Sequence, residues 1–152
     1  MYSFLLSTHS IIRWLVLFSL ILAIVQAYRG MIKKSVFTKL DDRIRHWTAT
    51  IAHLQLLVGI IVYSKSPIVK YFWKNLSDAI DNLEMVFFGL IHIILMLLSI
   101  VFVTIGSSLA KRKSTDNEKY RTIFKWFLVA LFILFIAIPW PFSPLVSRPY
   151  LR

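Results

Sequence analysis

The sequence predicts an all-α integral membrane protein: one domain, residues 1–152, folded as a four-helix up-down bundle with both termini on the non-cytoplasmic side. Three observations carry this. The 152 residues are 58% hydrophobic and 15% aromatic, above what soluble domains usually hold. The apolar residues fall in four blocks, at about residues 4–28, 47–63, 84–110 and 123–138, each near or above the roughly 17–20 residues that cross a bilayer. The charges fall between the blocks, and unevenly.

The formal net charge is +11. Twelve of the eighteen basic residues sit in the first and third connections, Arg29 to Arg45 and Lys111 to Lys125. In the second connection Lys65, Lys70 and Lys74 are balanced by Asp78, Asp81 and Glu84. A Lys/Arg excess marks cytoplasmic loops, so the first and third connections are expected inside and the chain ends outside. The charge is thus an orienting signal rather than a nucleic-acid footprint, and no nucleic-acid partner is expected. The expected surroundings are a lipid bilayer, with other membrane-protein subunits as partners.

The first block, residues 4–28, contains His9 and Arg13 and has no basic residue before Arg13. It is also too long for the apolar core of a signal peptide, so it reads as a retained span. In the first connection Thr38 or Asp41 is placed to cap a short interfacial helix. The second block, residues 47–63, has Trp47 and Tyr63 at its ends, where interfacial aromatics belong. Pro67 opens a segment whose Tyr71, Phe72 and Trp73 are suited to lie flat at the membrane surface.

The third block is the longest, residues 84–110. On a helix Gly89, His92, Met96, Ser99, Val103 and Gly106 recur every three to four residues and share a face. Small residues let helices approach closely in lipid, and an intramembrane ionisable residue normally faces the bundle interior. The fourth block, residues 123–138, has no polar side chain between Phe127 and Ile138 and stops at Pro139-Trp140-Pro141, where proline cannot continue a helix.

The chain has no cysteine. That excludes disulfides, thiolate-ligated haem, cysteine-held iron–sulfur clusters and covalent c-type haem. No nucleophile–base constellation and no phosphate-cradling glycine loop is present, so an independent enzyme is not expected. The candidate cofactor-binding residues are His9, His53, His92 and Arg13. A rise of about 1.5 Å per residue puts His9 at roughly 6–8 Å, His92 at about 9–12 Å and His53 at about 14–17 Å from the outer face. A b-type haem needs two neutral imidazoles at similar depth on different helices. His9 and His92 match best and are the candidate ligands of a haem iron, with His53–His92 the second pairing and Met96 a weaker axial ligand. Arg13 is expected to find a partner in Glu84, a haem propionate, a quinone carbonyl or a lipid phosphate. Taken singly, each of these residues reads more simply as packing or snorkelling. Three histidines on three helices make the case for a shared site.

The stretches THSIIRW, FTKLDD, AHLQLLVGIIVY and IPWPF resemble a family of small four-helix membrane proteins of Bacteroidota labelled "cytochrome b-like". The resemblance runs from Thr8 to about Phe142. In that family the third-helix histidine lies in a Glu-His-Pro context. Here the sequence is Ile91-His92-Ile93, without the carboxylate that a proton-linked role would use. The resemblance implies an inner-membrane location. The expected function is a b-type cytochrome-like or quinone-interacting electron-transfer subunit, with haem b, or a quinone, as cofactor. The alternative is a cofactor-free accessory or assembly subunit of a larger membrane complex.

Overall fold

The structure is a computed structural model and describes residues 1–151. It is built from helices, with no strand among the described residues. Four helices are long and apolar enough to cross a membrane. They are α1 (Tyr2–Lys33), α2 (Lys39–Lys65), a third running through Leu83–Arg112, and α7 (Asp116–Ala137). The third is composite: α5 (Leu83–Val86), a π-helical turn (Phe87–Ile91) and α6 (His92–Arg112). Two short helices, α3 (Pro67–Lys74) and α4 (Leu76–Ala79), fill the long connection before it.

Local chemistry sets the helix ends. Thr38 and Asp41 form a reciprocal capping box that starts α2, and Thr115 and Glu118 form another that starts α7. Each box satisfies two of the N–H groups that a helix start leaves unpaired. The cap at Thr38 does not begin a separate interfacial helix, as the sequence had implied. It begins α2 itself, which runs unbroken to Lys65. α1 closes with Lys34 in the left-handed region, φ 48°, its N–H bonded to the Gly30 carbonyl.

α1 packs on α2 and α7, and α6 packs on the same two helices, which puts α1 and α6 at opposite corners. Small residues line the crossings: Ala23 and Ala27 of α1, Ala49 and Ala52 of α2, Ser99 and Ala110 of α6, and Ala130 of α7 are all buried. Lipid tails are as apolar as leucine, so close van der Waals contact must hold such helices together. Two glycines show how close the contact is. A Cβ on Gly30 would lie 2.4 Å from the Tyr120 ring, and one on Gly106 would lie 2.3 Å from Trp126 Cβ. Large apolar side chains such as Phe18, Leu57, Leu97 and Phe132 point outward and are exposed.

The expected single face of the third helix is split. Ser99, Val103 and Gly106 pack inward as a group, with Ser99 Oγ donating to the Ala130 carbonyl at 2.9 Å. Gly89 faces elsewhere, against the Phe72 ring of α3. The π-helical turn explains the difference: the His92 N–H reaches back five residues to the Phe87 carbonyl. One extra residue in the turn shifts the register of everything before it.

The end with the two short connections is tied by one polar cluster. Asp41 accepts from the Thr38 N–H (2.8 Å) and hydroxyl (2.6 Å), from Gln26 Nε2 (3.0 Å) and from the Tyr120 hydroxyl (2.9 Å). Next to it Arg45 pairs with Asp42 at 2.8 Å and donates to the Ser107 carbonyl at 3.1 Å. Asp41, Arg45 and Tyr120 are all buried. This cluster joins α1, α2, α6 and α7.

Candidate functional site

The other end of the bundle holds a cavity of about 160 Å³. Its walls follow α1 from Tyr2 to Val16, some 21 Å of helix at about 1.5 Å per residue, so it is long and narrow. His9, Arg13, Gln55, His92, Met96 and Arg148 supply its chemistry.

Helical spacing aims these groups. His9 and Arg13 are one turn apart on α1, Gln55, Gly59 and Tyr63 follow at the same interval on α2, and His92, Met96 and Ser99 do so on α6. Gly59 makes room for an imidazole: a Cβ there would lie 3.1 Å from His9 Cε1. Gln55 Nε2 donates to the His9 backbone carbonyl at 3.0 Å and lies 3.3 Å from His9 Nε2. An amide N–H aimed at Nε2 makes that nitrogen the acceptor and puts the ring proton on Nδ1. His9 Nδ1 and Gln55 Oε1 are both buried without a hydrogen-bond partner. Such groups cost about 1–3 kcal/mol each when nothing satisfies them.

His92 is fixed by the prolines that end α7. In a continuing helix the carbonyls of Phe135 and Ala137 would bond to the N–H groups of residues 139 and 141. Both of those residues are prolines and have no N–H. Side chains take the two carbonyls instead: Trp140 Nε1 donates to Phe135 at 2.8 Å, and His92 Nδ1 donates to Ala137 at 2.8 Å. The second bond leaves His92 Nε2 with its lone pair, the usual arrangement of a metal-ligating histidine. The His9 and His92 rings face each other from opposite helices, with centroids 6.4 Å apart and planes at 72°.

The rim is closed by a segment with no regular structure, residues 143–151, which returns across the bundle. Arg148 and Pro149 line the cavity. Arg148 pairs with Glu84, and its guanidinium lies 5.2 Å from the centre of the Phe88 ring. The Tyr150 carbonyl accepts from the Arg13 guanidinium, from Trp14 Nε1 (3.4 Å) and from Ser10 Oγ (3.5 Å). Arg13 also bonds Ser10 Oγ at 3.2 Å, while its Nε is buried without a partner. Glu84 is therefore the partner of Arg148, not of Arg13 as the sequence had allowed.

Of the four candidate residues, the structure brings His9, Arg13 and His92 to one cavity. His53 lies elsewhere. It is exposed on the outer surface between α2 and α6, with Nδ1 2.7 Å from the Ala49 carbonyl and Nε2 3.0 Å from Thr104 Oγ1. Arg148 and Tyr150 had no role in the sequence reading. They come from a stretch without periodicity; Tyr150 meets α1 across more than 130 residues and Arg148 meets Glu84 and Phe88, and no local signal marks such a return. Gln55 was visible only as a neutral polar group on α2.

Two features bear on which cofactor the residues fit. Imidazole–metal bonds are about 2.0–2.1 Å, so one metal between two imidazoles separates their centroids by roughly 6.3 Å, close to the observed spacing. Ligation through His9 Nδ1 would require the ring proton to move to Nε2 and the Gln55 amide to turn away. Among the described residues no three His, Asp or Glu side chains gather as a metal site, and a bis-imidazole site needs only two. Comparison with protein-family models, with curated proteins and with solved structures finds no match.

Proposed function

We propose that this chain is an electron-transfer subunit of the bacterial inner membrane that holds a b-type haem between His9 and His92. The single observation that carries the reading is the facing of these two rings at 6.4 Å from opposite helices, one of them with its tautomer set by a backbone carbonyl. Haem would supply one-electron chemistry. His9 and His92 would hold its iron, Gly59 would give clearance beside His9 and Arg13 would be the counter-charge for a propionate. The resemblance of THSIIRW, AHLQLLVGIIVY and IPWPF to the family labelled "cytochrome b-like" supports this reading. The proposed topology is up-down, with the short connections in the cytoplasm and both chain ends outside. A reporter inserted in the connection 66–82 is then active only outside the cytoplasm, and activity inside would reverse the orientation.

A second reading is favoured by the unpartnered polar atoms. His9 Nδ1 is a buried donor and Gln55 Oε1 a buried acceptor, which suits the two hydroxyls of a quinol, one accepting from His9 and the other donating to Gln55, with no change of tautomer. Protein purified in mild detergent separates these readings. Haem predicts a dithionite-reduced minus oxidised spectrum with near-stoichiometric pyridine haemochrome, lost in His9→Ala and His92→Ala and kept in His53→Ala. A colourless folded protein carrying extractable quinone favours the second reading. A colourless protein without quinone leaves an accessory subunit.

A further inference from the structure

Among the described residues, Tyr150 offers less acceptor capacity than the donors around it can use. Three donors, Arg13, Trp14 Nε1 and Ser10 Oγ, converge on the one carbonyl oxygen of Tyr150. A carbonyl oxygen has two lone pairs, whereas a carboxylate offers about four acceptor sites. The contacts to Arg13 are neutral ones, a hydroxyl, a carbonyl and the Trp14 ring 5.6 Å away. Its Nε is buried and unpartnered on the wall of the same cavity. Glu84, the carboxylate that the sequence offers to Arg13, is bonded to Arg148 instead. A guanidinium at the edge of an apolar slot is costly without a counter-ion.

We infer that Arg13, Ser10 and Trp14 form a subsite for the acidic head group, carboxylate or phosphate, of an amphipathic ligand whose apolar body lies in the cavity. The Tyr150 carbonyl holds that subsite in place of the acid, so seating of segment 143–151 and binding of the acid exclude each other. The subsite shares the cavity with the haem reading and does not depend on haem. A neutral ligand has no group to displace Tyr150.

The chain has no cysteine, so nitroxides can be placed on Ser64→Cys and Ser147→Cys, both exposed positions at this end. The spin–spin distance is measured by pulsed EPR during titration with decanoate, decyl phosphate, decanol or hemin. The expected result is a longer, broader distance with the acids and none with decanol. Arg13→Gln should raise the concentration needed about tenfold, as loss of a charged hydrogen bond does. Ser10→Ala, which keeps the charge, should have a smaller effect in the same direction and covers the case in which Arg13→Gln does not fold. A response to decanoate and hemin alone identifies a carboxylate ligand, and one to decyl phosphate alone a lipid or free phosphate. An unchanged distance with every acid, or an equal response to decanol, overturns the inference. A response to decanoate in a protein that binds no haem upholds the subsite and sinks the haem reading. Bound haem with the segment still seated does the reverse.

Discussion

The two ends of this bundle use buried polarity in opposite ways. At the short-connection end the Asp41 carboxylate meets four donors and Arg45 is engaged by Asp42 and Ser107. At the cavity end His9, Gln55 and Arg13 each keep a buried polar atom without a partner. The chain thus satisfies a carboxylate fully where nothing needs to bind, and leaves donors and acceptors open where there is room for a ligand. Unsatisfied groups in a folded protein call for a reason, and a cavity lined by them supplies one.

Substitutions should separate the two ends. The largest loss of stability is expected for Asp41→Ala, which takes the shared acceptor from Gln26 and Thr38 and leaves Tyr120 only the Val36 carbonyl, at a cost of about 3 kcal/mol for several hydrogen bonds to one charged group. Reversible unfolding in mixed micelles checks it, and a loss below about 1 kcal/mol would mean the cluster is ornamental. Gly30→Ala comes next. Its Cβ runs into the Tyr120 ring, and overpacking of this kind costs about 1–3 kcal/mol. At the other end Gln55→Leu removes an unpaired buried acceptor together with the amide that bonds the His9 carbonyl; gain and loss oppose each other, so stability should change by under about 1 kcal/mol, while the spectrum or occupancy of whatever the cavity binds is altered. A marked destabilisation there would show that Gln55 holds α1 to α2 rather than serving a ligand. Smallest of all, His53→Gln should shift stability by under about 1 kcal/mol, because it loses one inter-helix hydrogen bond at an exposed position.

How much of this was legible in the sequence depended on distance along the chain. Four apolar blocks are local patterns, and a long helix covers each of them; Thr38 or Asp41 is legible as a cap, but of α2 itself rather than of a separate interfacial helix. Depth estimates placed His9 and His92 at similar levels, and in the structure their rings face each other. The same arithmetic could not give azimuth, so it grouped His53 with them although that ring is on the outer surface. The stripe from Gly89 to Gly106 assumed a constant 3.6-residue period, and the π-helical turn interrupts it. The Pro139-Trp140-Pro141 signal was read as a stop. It also frees two carbonyls, and that follows from counting four residues back from each proline.

The π-helical turn has a further consequence for how this chain can vary. It lies between two lengths of helix that are indexed by different neighbours. Gly89 is set by Phe72 of α3 and by the Tyr63 hydroxyl on its carbonyl, at 2.7 Å, while Ser99 and Gly106 are set by α7. Deleting one residue from the turn would rotate the outer length by about 100° relative to the bundle, without touching the Ser99–Ala130 bond below it. The turn is therefore the place where one helix changes the neighbours that index it, and a deletion within residues 87–91 should cost the Gly89–Phe72 contact and the Tyr63 bond while leaving the α6–α7 crossing in place.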